Sequence, residues 1–351
     1  MKKLLALLLC AALCLSLAAC ASSTTTTTEA PAAAETETAA EAPAEETAEA
    51  PAAEEASSDA KQYVVGICQL VQHDALDAAT NGFMDALEEA LPGQVEFDLK
   101  NASNDIPTCG TIVTGFVASN VDLILANATP SLQAASAATQ TIPILGTAVT
   151  EYGVALDIAN FNGTVGGNIS GTSDLAPLDQ QAGMIVELLP DAKNVGILYC
   201  SAEANSVYQA DVVKAALEEK GVNVTIYTFA DSNDVATVTQ TACSENDALY
   251  IPTDNTAASC AEAINNVAEP AGVPIIAGEE GICKGCGIAT LSIDYYELGR
   301  TTGAMAAKIL TGESNVSEMP IEYYQNPVKK YDAARCEALG ITVPSDYVAI
   351  G

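Results

Sequence analysis

The chain has no tryptophan and a single histidine, His73, and its 13 lysines and arginines stand against 46 aspartates and glutamates. Each shortage excludes something. Nucleic-acid binding needs a basic footprint, and none exists in a chain of formal net charge −33. Attachment to anionic lipid by charge fails for the same reason. His73 is accompanied by no Ser or Cys elbow motif, so it reads as a contact or a helix cap rather than a catalytic base. Cys283-Lys-Gly-Cys286 has no second C-x-x-C and no histidine partners to complete a zinc site.

The first sixty residues concern location. Lys2 and Lys3 precede an apolar run, Leu4 to Leu17, that ends in Leu17-Ala18-Ala19-Cys20. A basic start, a short apolar segment and small residues before the cut make a secretory signal peptide, too short to span a bilayer comfortably. The ending resembles the lipobox of bacterial lipoproteins, which implies a leader over residues 1–19 and lipidation of Cys20 as the mature N-terminus. Residues 21–60 are almost entirely Ala, Ser, Thr, Glu and Pro, with ten acidic residues from Glu29 to Asp59 and no basic one. Such a stretch buries too little apolar surface to offset ordering, so 20–60 is expected to be a disordered, extended tether. The expected location is the extracytoplasmic face of the cell membrane, reached through the lipid alone.

About 290 residues remain, enough for two lobes with separate cores. Leader and tether aside, they hold 36 acidic and 11 basic residues. An internal duplication runs through them. Val65-Gly66-Ile67 matches Val195-Gly196-Ile197, and Asp85 to Glu89 matches Ala215 to Glu219. Ser103-Asn104-Asp105-Ile106 matches Ser232-Asn233-Asp234-Val235, and Ile142-Pro143-Ile144 matches Val273-Pro274-Ile275. Each copy reads as short apolar strands alternating with helices, which predicts an α/β fold: two doubly wound parallel-sheet lobes forming a clamshell. Ligands bind beyond the carboxyl ends of such strands. Neither copy carries a dinucleotide fingerprint, and no cofactor is expected.

The loops after the strands therefore supply the candidate residues. After the first strand stand Gln69, Leu70 and His73, with Asn205 and Ser206 as counterparts. After the third stand Asn127, Thr129 and Ser131, opposite Asp254, Asn255 and Thr256; after the fourth come Thr147 and Ala148, opposite Glu279. Thr129, Asn205 and Asn255 lie where helices are expected to begin, so they suit N-capping or a bound carboxylate. Capping is not expected to account for Asp254 and Glu279. Two acids at a cleft rim suit paired-carboxylate hydrolysis or an ammonium group, and the second needs no chemistry. No enzymatic activity is expected.

Over Tyr63 to about Val348 the chain resembles the bacterial lipoprotein substrate-binding proteins of ABC transporters that include the tryptophan and tyrosine binders. The segments carrying the resemblance are Gly66 to Val71 with His73, Ala128-Thr129-Pro130, Gly171-Thr172-Ser173-Asp174, Glu203 to Ser206, Pro252 to Thr256, Ala277 to Gly281, and Asp294 to Gly299. The resemblance implies the type I periplasmic-binding-protein clamshell with three crossovers. A first lobe would comprise 61–172 plus about 293–318, and a second 173–292 plus about 319–351. Ser173 and Asp294 fall near the crossovers and join the candidate site. A monomer is implied, binding an amino acid, best an aromatic one, and delivering it to an ABC permease. A sugar or other small solute is the alternative, though sugar clefts usually stack on tryptophan; a surface sensor or adhesin is another. Eight cysteines follow Cys20 with no readable disulfide framework.

Overall fold

The structure, a computed structural model, describes residues 61–350. The leader, Cys20 and the tether through residue 60 lie outside the described residues. The first copy runs β1 (Tyr63–Gln69), α1 (Asp74–Ala90), β2 (Val95–Asn101), α2 (Ile106–Ser119), β3 (Leu123–Asn127) and α3 (Thr129–Ala138). It continues through β4 (Ile144–Val149), α4 (Tyr152–Ala155) and β5 (Ile169–Ser173). The second runs α5 (Leu178–Leu188), β6 (Asn194–Cys200), α6 (Ala204–Glu219), β7 (Asn223–Phe229), α7 (Val235–Glu245) and β8 (Ala248–Ile251). Then come α8 (Asn255–Ser259), α9 (Ala261–Ala271), β9 (Ile275–Ala277), α10 (Glu280–Cys286) and β10 (Ala289–Ser292). Last are α11 (Tyr295–Leu310), β11 (Glu322–Tyr323), β12 (Val328–Tyr331), α12 (Ala333–Ala338) and β13 (Val348–Ala349).

Two sheets result, ordered β11-β5-β4-β3-β1-β2 and β13-β12-β10-β9-β8-β6-β7. Every pairing is parallel except β10 with β12. The duplication holds at the level of register. Val65-Gly66-Ile67 pairs with Leu123-Ile124-Leu125, as Val195-Gly196-Ile197 pairs with Ala248-Leu249-Tyr250. Central strands such as β3 and β8 are buried along their whole length, as a sheet covered by helices on both faces requires. The outer strands β2 and β7 carry charged or polar residues among apolar ones and are more exposed than the central strands.

Three crossovers join the lobes. The chain leaves the first sheet after Ser173, returns after Ser292 into α11, and leaves again after β11. The last crossing follows Tyr323 rather than residue 318: Glu322 and Tyr323 pair with Thr172 and Ser173, and the Ser170 hydroxyl donates to the Met319 carbonyl at 3.0 Å. Two residues of β-pairing carry too little pattern to be read from sequence.

α11 seats the returning chain on the first lobe by lying directly against α1. Glycines make this possible. A Cβ on Gly299 would stand 2.0 Å from the Ala79 carbonyl oxygen, and one on Gly82 would stand 2.1 Å from that of Tyr296. Backbone meets backbone, so neither helix can accommodate a methyl without separating from the other. Gly299→Ala is expected to destabilise by roughly 3 kcal/mol, the upper range for overpacking. Gly110→Ala, on α2 where a Cβ meets nothing within 4 Å, is expected to gain up to about 1 kcal/mol from helix propensity. Urea denaturation of the two variants checks the contrast.

Candidate functional site

The carboxyl ends of the strands face each other across the lobes, and two hydrogen bonds close the gap. The amide of Asn104, in the loop after β2, donates to the Thr256 hydroxyl at 3.1 Å. His73 Nε2 lies 3.2 Å from Asn255 Oδ1. Both second-lobe partners hang from Glu203. Its carboxylate accepts from the Asn255 amide side chain at 2.7 Å, from the Thr256 hydroxyl at 2.8 Å and from the Thr256 backbone N–H at 2.8 Å. Because the Asn255 Nδ2 serves Glu203, its Oδ1 faces His73, and His73 Nε2 must be the donor. The other ring nitrogen, Nδ1, is buried and without a partner.

Four carboxyl groups are buried here: Asp174, Glu203, Asp254 and Glu279 are 4%, 1%, 1% and 2% exposed. None takes part in an ion pair with lysine or arginine among the described residues. Backbone N–H groups solvate three of them. Asp254 caps α8, taking Ala257 N at 2.7 Å on one oxygen and Cys200 N at 2.8 Å on the other. Glu279 caps α10 through Gly281 N at 2.6 Å and Ile282 N. Glu203 is the residue before α6 and reaches across to the first turn of α8. Asp174 differs. One oxygen accepts from the Tyr295 hydroxyl at 2.9 Å, and the other is buried without a partner. Burial, and then the neighbouring Glu203 charge, push the Asp254 carboxyl up to about 8. Burial likewise raises Asp174 and Glu279 above the usual carboxylate range.

The expected site residues divide into two groups. His73, Asn205, Ser206, Asp254, Asn255, Thr256 and Glu279 gather at the cleft, linked by the contacts above and by Asn205 Nδ2 donating to the Thr253 carbonyl at 3.0 Å. Leu70 and Ala148 are buried at the ends of β1 and β4, and Thr129 opens α3. Ala148 has φ 50° and Ala128, before Thr129, has φ 90°. Two non-glycine residues in left-handed backbone, both at strand ends facing the cleft, store strain of the kind found at binding sites.

The others serve the scaffold. The Gln69 amide binds Asp77 at 2.6 Å and accepts from Thr80, and Asn127 donates to Leu76 O and Thr80, so both side chains turn to α1. Ser131 lies between the thiols of Cys68 and Cys109. Thr147 meets the hydroxyls of Thr172 and Thr302 beside α11. Ser173 donates to Thr150 O, and exposed Asp294 caps α11. A loop position does not say which way a side chain turns, and these six turn to side-chain and backbone partners of the scaffold. The capping assignments also shift. Asn205 and Asn255 sit inside their helices, while Glu203 and Asp254 occupy the N-cap positions. Capping therefore does account for Asp254 and Glu279. Sequence reasoning missed Glu203, Asp174, Tyr295 and Asn104 as cleft residues, although the first three stand within the segments that carry the family resemblance.

The model of the family described as ABC transporter substrate binding protein matches residues 64–349. The chain belongs to that family. Its members are solute-binding proteins, not enzymes; they bind small molecules and deliver them to ABC permeases. The tyrosine-binding protein of Clostridioides difficile (strain R20291) is 38% identical over 264 residues, 74% of this chain and 76% of that protein. An ABC domain from Streptococcus pneumonia in complex with L-Trp is 29% identical with TM-score 0.79, covering 83% of this chain and all of that one. A ligand-free, open substrate-binding protein with adhesive properties from Clostridium difficile is 36% identical, with TM-score 0.63 over 82% of this chain and 99% of that one. The higher identity goes with the lower structural agreement. In this structure the hydrogen bonds of His73 and Asn104 hold the two lobes together across the cleft.

Asp254 sets a pH dependence. Its folded carboxyl holds a proton from about pH 4 up to about 8, where the unfolded chain has released it. Folding therefore gains from protonation below pH 4 and loses that gain as pH rises through 8. The stability difference between wild type and Asp254→Asn should shift in the variant's favour from pH 5 to pH 8, measured by urea denaturation without ligand. A constant difference across that range would contradict the assignment.

Proposed function

We propose that this substrate-binding protein captures an aromatic L-amino acid (tyrosine, tryptophan or phenylalanine) for an ABC importer. One observation carries the reading: the cleft holds buried acceptors without partners and, among the described residues, no buried lysine or arginine to match them. Asp174 Oδ1 and Asn205 Oδ1 are buried, unpartnered acceptors, and His73 Nδ1 is buried and unpartnered as well. Two further unpartnered atoms, Asn127 Oδ1 and Thr290 Oγ1, belong to the α1 side of β3 and to the middle of β10. An α-ammonium brings three N–H donors and the missing positive charge. Asp174 and Asn205 are connected through Tyr295, whose hydroxyl also reaches Thr253.

The duplicated lobes differ where a zwitterion would need them to. Glu203 and Asp254, ahead of α6 and α8, correspond to His73 and Ala128, ahead of α1 and α3. The second lobe is acidic at these two positions, and the first lobe leaves its helix starts without a side-chain cap. The ten-residue α3 favours a carboxylate at its open N-terminus. The tyrosine and tryptophan relatives support an aromatic side chain. Cys20 and the tether, in this reading, hold the protein as a lipid-anchored monomer on the extracytoplasmic face. A second role as an adhesin is favoured by the 36% identity to a substrate-binding protein with adhesive properties.

Asp174, with a free oxygen, is the stronger ammonium partner than Asp254, whose oxygens both serve backbone N–H groups. Asp174→Asn should weaken L-tyrosine or L-tryptophan binding by about 2–4 kcal/mol in calorimetry, the range for truncating one of a buried charge pair. 3-(4-Hydroxyphenyl)propanoate, tyrosine without its ammonium, should not bind. Equal binding of that acid, or stabilisation by sugars alone, would overturn the reading. Cys20→Ser should release the protein from the membrane or leave its leader uncleaved; a cleaved, membrane-retained variant would remove the lipid anchor.

A further inference from the structure

The cysteines are the feature of the sequence that ligand binding does not absorb. Eight stand free among the described residues, seven of them buried. Two come from different elements to a common point. Cys68 lies on β1 and Cys109 on α2, both fully buried, and their sulfurs stand 3.7 Å and 3.6 Å from the same hydroxyl, Ser131 Oγ. The two thiols also perturb one another's ionisation. We propose that Cys68 and Cys109 are a reversible dithiol–disulfide pair, closed by exchange with a disulfide oxidant outside the cytoplasm. The proposal concerns a site apart from the ligand cleft, and it needs export but not the amino-acid reading.

The two thiols are unequal in a way that suits the exchange. Cys109 is drawn down to about 7, first by its hydrogen bond with Cys68, while that same interaction and burial raise Cys68. Ser131 can donate to a Cys109 thiolate while accepting from the Cys68 S–H. In the first step the Cys109 thiolate attacks one sulfur of the oxidant disulfide, expelling one thiolate and forming a mixed disulfide. Cys68 then releases its proton, and its sulfur attacks Cys109 Sγ and expels the second thiolate. Two protein thiols and one external disulfide become one protein disulfide and two external thiols. No water or metal is needed. Because both sulfurs are buried, exchange proceeds when α2 opens locally or before it docks during folding.

The link would join two stems of the cleft. Cys68 immediately precedes the Gln69–His73 loop, and Cys109 follows the loop of Asn104 by one turn of helix. His73 and Asn104 both bridge from the first lobe to the second. Oxidation would tie β1 to α2 directly beneath them.

The test uses the full mature protein taken from membranes, with thiols trapped by alkylation in denaturant, and then the same protein incubated with oxidised glutathione. Peptide mapping without reductant should find the Cys68 peptide joined to the Cys109 peptide, lighter by two hydrogen atoms than the pair of free thiols. The oxidised protein should melt about 5 °C higher than the reduced form, and dithiothreitol should reverse the rise. Cys109→Ser and Cys109→Ala should both lose the linked peptide and the reversible shift. Ser131→Ala should still form it. Complete alkylation of both thiols in the membrane sample and after glutathione, under conditions where the protein unfolds and refolds, would overturn the proposal. A linkage of either cysteine to any other would do the same.

Discussion

A carboxylate taken out of water must be solvated by something else, and the second lobe is arranged around that requirement. Glu203, Asp254 and Glu279 are buried at the starts of three helices, where backbone N–H groups have no partners of their own. Each need answers the other. The acids satisfy the open N–H groups, and those groups make burial of the acids tolerable. Glu203 carries the arrangement furthest, because the Asn255 and Thr256 side chains it holds are the ones that reach His73 and Asn104. The geometry of the cleft thus descends from carboxylate burial in one lobe.

The duplication supplied two equivalent scaffolds, and function rests on where they stopped being equivalent. The same strand order and register recur in both sheets. Yet the helix starts facing the cleft carry acids in one copy and His73 and Ala128 in the other. A symmetric cleft would present the same residue types from both lobes; this one does not. Burial of four carboxyls around one cleft is electrostatically unfavourable when they are ionised, and a bound cation would relieve it.

Rigid seating of the hinge is the other condition for such a site. α11 returns from the second lobe and packs backbone to backbone on α1, an approach set by Gly82 and Gly299. Asp174 and Tyr295, joined by a hydrogen bond, stand at two of the three crossovers. The free carboxylate oxygen is therefore placed by the segments that connect the two lobes.

Much of the fold was legible because its signals are local and repeated: apolar strand runs, polar helix starts, and a duplication that forces two similar lobes. Val65-Gly66-Ile67 and Val195-Gly196-Ile197 marked the equivalent first strands of the two copies. The sequence also determined, through Leu17 to Cys20 and the acidic run after it, the expectation of export and anchoring. Tertiary structure decided which loop residues face the ligand. Gln69, Asn127, Ser131 and Thr147 have the right loop positions and residue types, but their side chains turn inward to partners on α1, on β1 and α2, and on β5 and α11. Glu203 and Asp174 look no different from other acids in the chain until burial removes their water. A side chain's direction and the partners left to it depend on elements distant in sequence, and those meet only when the lobes have packed.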